Sequence, residues 1–193
     1  MRSALGPTLS LSLIYNTYNA DGSRAQLDTG LGYGWTHSYN IFLFNQLGNM
    51  FRIDGRGRVT KYQYQHGGPF VAATGYFETL NNMDGTFTIR QKNRTSFLFA
   101  QVPNPPSLVF GPVYRLKTVT DRNGNATTVS YDSDGNLTQI TDTYGRSLTL
   151  TYNTHHELTE ITDPLGRTTT LTYDSSERRP VQITDPAGKS HTI

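Results

Sequence analysis

The residues best suited to chemistry recur on a beat. Asp121, Asp142, Asp163 and Asp185 each follow a Thr, and Gly124, Gly145, Gly166 and Gly188 come three residues later. A row of carboxylates suggests acid–base catalysis or a cation site. Two loops, Asp121-Arg122-Asn123-Gly124-Asn125 and Asp132-Ser133-Asp134-Gly135-Asn136, imitate the first ligands of a calcium loop. An EF-hand needs Gly at its sixth position and Glu at its twelfth, and neither loop supplies them. His155-His156 lacks the i,i+4 spacing that turns two imidazoles toward one zinc. The chain has no Cys, hence no thiolate nucleophile or disulfide, no Gly-x-Ser-x-Gly and no phosphate-cradling glycine loop. Tyr131, Tyr152 and Tyr173 keep the same beat, each followed by Asp or Asn. Such a row is a packing ladder or, on an open face, a glycan-contact surface. The expectation is a chain without catalytic residues, metal or cofactor.

The elements that carry these residues follow from the period. The Asp positions step by 21, 21 and 22 residues, the mark of an architecture whose units bury their apolar faces by stacking. Val129 and Tyr131, then Leu148, Leu150 and Tyr152, then Leu171 and Tyr173 alternate with Thr and Ser, which is strand patterning. Asp163-Pro164-Leu165-Gly166 fits a type I turn closed by a left-handed Gly, so a turn role explains the Asp and Gly spacing. The opposite end of each unit turns at Asp132 to Gly135, a motif that decays to Thr154-His155-His156-Glu157 and then to Ser176 through Pro180. The single extra residue of the last step falls at Arg179-Pro180. Hairpins added to one continuous, twisted and curled sheet are favoured. A β-solenoid is the alternative, although it would stack the four Asp side chains at strand spacing.

The N-terminal half reads as shorter strands. Leu9, Leu11 and Leu13 alternate with Thr and Ser, which gives a strand from Leu9 to Tyr18 and not an export signal. Gly32-Tyr33-Gly34-Trp35 predicts a bulge or close backbone approach under a large ring. Hairpins then turn at Leu47-Gly48, Asp54 to Gly57, Asp84-Gly85 and Lys92-Asn93. Pro103, Pro105, Pro106 and Pro112 mark a boundary. The expected division is 1–100 as an N-terminal β module, 101–112 as a Pro-rich connection and 113–193 as the hairpin array.

Composition agrees with an all-β chain. Thr, Tyr and Phe are plentiful, Leu, Ile, Val and Phe together make up about a fifth of the chain, and the net charge is only +2. The scattered charge predicts no nucleic-acid partner, and no stretch is apolar enough to insert as a membrane span.

The repeat unit, seen in Ile161 to Arg167 and Leu171 to Asp174, resembles RHS/YD repeats, with Tyr131-Asp132 and Tyr173-Asp174 as the YD pairs. Tyr15-Asn16, Gly32-Tyr33-Gly34-Trp35 and Tyr39-Asn40 resemble the module that precedes such repeats in bacterial RHS proteins. The resemblance implies a secreted or cell-surface protein in which β-hairpins spiral into a shell, used as a toxin scaffold or an adhesive surface. The Asp-rich closing motif of that family has no match, and about three and a half units are too few to close a large shell. Three roles follow as expectations. One is a non-catalytic scaffold or shell segment. Another is a filament subunit joined to further copies, or to the rest of a longer chain, through an unpaired strand at each end of the array. The last is a glycan-binding adhesion module using the Tyr row.

Overall fold

The computed structural model describes residues 9–17, 29–101, 112–175 and 178–193. The last residue of the strand expected from Leu9 to Tyr18 and most of the Pro-rich connection lie outside them. Every strand pairing is antiparallel, so the solenoid alternative falls: each repeat is two strands joined by a tight reversal, not a coil.

A small sheet joins β1 (Leu13–Tyr15) and β2 (Trp35–His37). The main sheet begins with β3 (Phe42–Gln46), β4 (Asn49–Ile53), β5 (Val59–Gln63), β6 (Phe70–Ala72), β7 (Glu78–Met83), β8 (Thr86–Gln91), β9 (Ser96–Gln101) and β10 (Val113–Thr120), each paired with the next. The last of these also returns to the first. Tyr114 and Arg115 of β10 pair with Gln101 and Ala100 on one edge and with Leu43 and Phe42 on the other. β3 to β10 therefore form a closed eight-stranded barrel, a closure that no periodicity in the sequence announces. Its turns are the ones the dipeptides require. Leu47-Gly48 and Asp84-Gly85 both have positive φ, as two-residue reversals need.

The barrel is filled by alternate residues. Leu43, Met50, Tyr62, Leu80, Phe87, Ile89, Phe99 and Leu116 are all buried in one cluster. Phe42, Phe44, Ile53 and Val113 form a second cluster on the opposite face of the wall.

The repeat array leaves the barrel along β10. Past Leu116, where the register shifts by a bulge, Thr118 to Thr120 pair with β9 on one edge and with β11 (Ala126–Tyr131) on the other. β12 (Leu137–Thr141), β13 (Ser147–Tyr152), β14 (Leu158–Thr162), β15 (Thr168–Tyr173), β16 (Pro180–Thr184) and β17 (Ser190–Thr192) follow in order. The array thus has no open edge at its start, which corrects the expectation of one at each end. The chain spends that edge on closing the barrel. β17 pairs only with β16 among the described residues.

Each unit also carries a bulge at one position. Register slips between Ser130 and Tyr131, Thr151 and Tyr152, and Thr172 and Tyr173, which leaves Thr138, Thr159 and Val181 as the extra residues of the partner strands. A bulge increases local twist, and a recurring one curls the sheet. Thr138 and Thr159 each donate a hydroxyl to the neighbouring strand, reaching Ser130 O at 3.3 Å and Thr151 O at 3.2 Å.

Candidate functional site

The recurrent Asp residues sit in one reversal repeated along one edge of the array. Asp163 shows it best. Its N–H donates to Arg167 O at 2.9 Å, while its carbonyl accepts from Gly166 N at 2.9 Å, the bond of a type I turn. Its Oδ1 accepts from Leu165 N at 2.8 Å and from Arg167 N at 2.9 Å, and its Oδ2 takes Arg167 Nε at 2.7 Å. Gly124, Gly145, Gly166 and Gly188 all have φ between 76° and 86°, a region that costs other residues about 1 kcal/mol or more. Asp121, Asp142 and Asp185 bond in the same way, to Asn123 and Asn125, to Tyr144 and Arg146, and to Ala187 and Lys189.

These bonds shift the carboxyls. The Asn125 amide holds Asp121 below the ordinary carboxylate range, and the Arg167 guanidinium does the same for Asp163. At Asp142 burial opposes ionisation, yet the Arg146 hydrogen bonds and charge keep its acidity above normal. A carboxylate with lowered pKa whose oxygens close its own turn is a poor proton acceptor. Among the described residues, no three His, Asp or Glu side chains gather as a metal site.

The opposite turns follow the same plan with weaker sequence signals. Asp132 accepts from Asp134 N and Asn136 N, and Asn153 accepts from His155 N and Glu157 N. His156 occupies the place of Gly135 and accepts φ +61° there. In the last copy Asp174 N–H donates to Arg179 O, one residue further on than in the others. Asn125 and Asn136, which fall in glycosylation-like triplets, give their side-chain N–H groups to Asp121 and Asp132.

The tyrosine row faces inward. Tyr152 OH donates to Leu137 O at 3.0 Å, and Tyr173 OH to Leu158 O at 2.8 Å, so each ring ties its unit to the one before. Tyr131, at the head of the row, lies beneath the Arg115 and Lys117 cations at 5.2 and 5.3 Å. Burial raises the hydroxyl pKa of Tyr131 and Tyr152. The face is covered by the N-terminal segment. Leu31 is fully buried in the same cluster, and Leu9, Leu11, Leu13, Trp35 and Tyr39 pack around it. This removes the open ring surface on which the glycan expectation rests.

The N-terminal signature residues hold that cover in place. Tyr15 packs against Trp35 with ring centroids 5.2 Å apart and planes tilted by 46°, Asn16 N–H donates to Gly34 O at 2.7 Å, and Trp35 N–H to Gly32 O at 3.2 Å. Gly30 O accepts from Leu158 N at 2.8 Å and from the Tyr173 hydroxyl at 3.1 Å. A Cβ on Gly30 would strike His156 O, and one on Gly32 would strike Arg178 O. The close approach expected at Gly32 is thus to the backbone of a repeat turn and not to the Trp35 ring. Residues 29–35 act as a strap that crosses two successive turns.

One buried polar cluster has no counterpart in the sequence reading. Glu78 binds Arg52 Nη1 at 2.9 Å and the Tyr62 hydroxyl at 2.6 Å inside the barrel. The signal was available: Arg52 shares the phase of Met50, and Glu78 that of Leu80, so each places a charge at an inward position. The Asp54 turn is more than a plain hairpin reversal: it repeats the array's geometry, since Asp54 Oδ1 accepts from Arg56 N and Arg58 N.

Comparison with known proteins agrees with this geometry in the array. Residues 115–147 and 152–190 match the RHS Repeat family model. Over those residues the array is similar to RHS repeats. That match begins at Arg115, within β10, and leaves β1 to β9 and the strap outside it. A chain of the Photorhabdus luminescens Tc holotoxin pore aligns with 80% of this chain at 12% identity and a TM-score of 0.33. The present chain spans 11% of that one. No curated protein matches the sequence.

Proposed function

We propose that this chain is a non-catalytic structural segment of an RHS-repeat protein, secreted or displayed at the cell surface, in which the barrel starts the repeat sheet and the strap lines its inner face. The observation that carries this reading is the double use of β10, which closes the barrel and seeds the array. The Asp and Gly residues are then turn residues, the Tyr row is an internal tie, and the division into N-terminal module, Pro-rich connection and array describes two parts built around one strand. The test is chemical and mechanical at once. Asp163→Asn should lower stability and leave no activity to lose. A hydrolytic activity of the purified chain that vanishes with that single change would overturn the reading.

The β17 edge supports a second reading. Ser190, His191 and Thr192 are exposed and pair on one side only among the described residues. An unpaired edge accepts a further strand, from a longer RHS chain or from a second copy. With one open edge in the array among the described residues, an edge-to-edge pair is favoured over a filament, because head-to-tail growth needs two complementary ends. Sedimentation at rising concentration checks this, with Thr192→Pro expected to abolish any dimer, because Ile193 N–H bonds inward to Val181 O and the Thr192 N–H therefore faces the open side. Filaments that survive this change would refute it.

A further inference from the structure

The fold collects charge that the sequence scatters. Four connections meet on one rim of the barrel: residues 54–58, 73–77, 92–95 and 121–125. They carry Arg56, Arg58, Lys92, Arg94 and Arg122, all exposed, and none is in an ion pair among the described residues. Against these five cations stand two surface carboxylates, Asp54 and Asp121, each turned onto its own loop backbone. Glu78 lies beneath and is neutralised by Arg52. This one rim therefore outweighs the +2 of the entire chain.

Two aromatic rings interrupt the cations. Phe77 is 72% exposed and Tyr76 39%. Arg58 lies 5.1 Å from the Tyr76 ring and Lys92 lies 5.0 Å from the Phe77 ring, so three separate connections form one continuous row. A shallow groove at this row is lined by both rings, Lys92, Gly75, Glu78, Gln91 and Asn93. Exposed aromatics with unpaired cations are the composition of a recognition surface rather than a solubilising one.

We infer that this rim docks an acidic polypeptide segment that carries an aromatic or aliphatic side chain. Carboxylates spaced along such a segment meet Arg58, Lys92 and Arg94, while its apolar side chain covers Phe77. A nucleic acid fits less well. Its unbroken phosphates would run against the fixed Asp54 and Asp121 carboxylates, and each ring already carries a cation on one face, which limits base stacking.

The experiment is fluorescence anisotropy on the intact chain with a labelled peptide alternating Glu and Tyr. A Lys–Tyr peptide of equal length and an oligothymidylate serve as competitors. The acidic peptide should bind, and Lys92→Ser or Phe77→Ser should each weaken it by about tenfold, whereas Lys61→Ser, on β5 away from the rim, should not. Raising the salt severalfold should weaken binding as well. Circular dichroism melts confirm that the variants fold, and Arg94→Ser provides a second, fully exposed change. Equal binding of the Lys–Tyr peptide, or no effect of the rim variants, overturns the proposal. Tighter binding of the oligothymidylate assigns the rim to nucleic acid instead, and self-association lost in Phe77→Ser assigns it to a second copy.

Discussion

Gly32 and Gly166 share a backbone conformation, with φ of +76° at both, but not an environment. An added Cβ at Gly166 meets nothing within 4 Å, whereas at Gly32 it strikes the carbonyl of Arg178, with Arg179 Cα at 3.3 Å behind it. Gly166→Ala therefore reports the conformational penalty alone, about 1 kcal/mol. Gly32→Ala carries that penalty plus an overlap between two backbones, neither of which can rotate away. Overpacking in a well-ordered interior costs roughly 1–3 kcal/mol, so the total loss should be about 2–4 kcal/mol.

The assay is urea unfolding of both variants beside the parent, at matched pH and salt. Hydrogen exchange of the Arg178 and Arg179 amides then shows where the loss falls. If the strap holds the last repeat turn, Gly32→Ala lowers protection there first and Gly166→Ala does not. Equal losses in the two variants would refute the argument, because they would leave only the shared φ as the cause. A large loss in Gly32→Ala without any change in exchange at the 174–179 turn would place the damage inside the strap itself.

Three further expectations use other parts of the molecule. Tyr152→Phe removes the hydroxyl that reaches Leu137 O and should cost about 1–2 kcal/mol in urea unfolding, with the ring packing kept. Val181 occupies the bulge position where Thr138 and Thr159 donate to the preceding strand, so Val181→Thr should add about 0.5–1 kcal/mol and raise the melting midpoint. His37 is buried, its Nδ1 has no hydrogen-bond partner among the described residues, and burial, helped by the Arg115 charge, pushes its pKa down to about 3. The unfolded chain protonates this imidazole below its ordinary value of 6.5 and the folded chain does not, so stability present near neutrality is lost as pH falls from 6.5 toward 3. Unfolding curves at stepped pH should show that loss flattened in His37→Gln.

The array was legible because its chemistry is local. Asp, Pro and Gly at fixed offsets dictate a reversal, and Thr–Leu alternation dictates which face is inner, so hairpins followed from residues within a few positions of each other. The missing residue type at Gly135's later equivalents did not abolish the turn, since Asn153 supplies the same two acceptor bonds and His156 accepts positive φ. Barrel closure was not legible. It depends on Tyr114 finding Leu43, a pairing across 71 positions whose only trace is that Leu43 and Tyr114 both fall in the inward phase of their strands. The cover over the Tyr row was equally hidden. Gly30 and Gly32 announce a close approach but not its target, and only the fold shows that the target lies in the turns at 156 and 178.

A hairpin repeat cannot bury its own inner face, so an array needs something to begin against and something to fill its concave side. Both needs are met here by one N-terminal half. Closing the barrel leaves β10 with half an edge to spare, and β11 occupies it; the strap then lays Leu31 on the face that β11 to β15 expose. The two contributions are coupled through Arg115, which belongs to β10, lies over the Tyr131 ring and donates to Gly135 O in the first turn beyond. It follows that damage to the barrel wall should spread into the repeats, whereas damage at β17 should stay local, because β17 bonds to β16 alone among the described residues. The array is stabilised from its N-terminal end outward, and among the described residues β17 is the one array strand without a second partner strand.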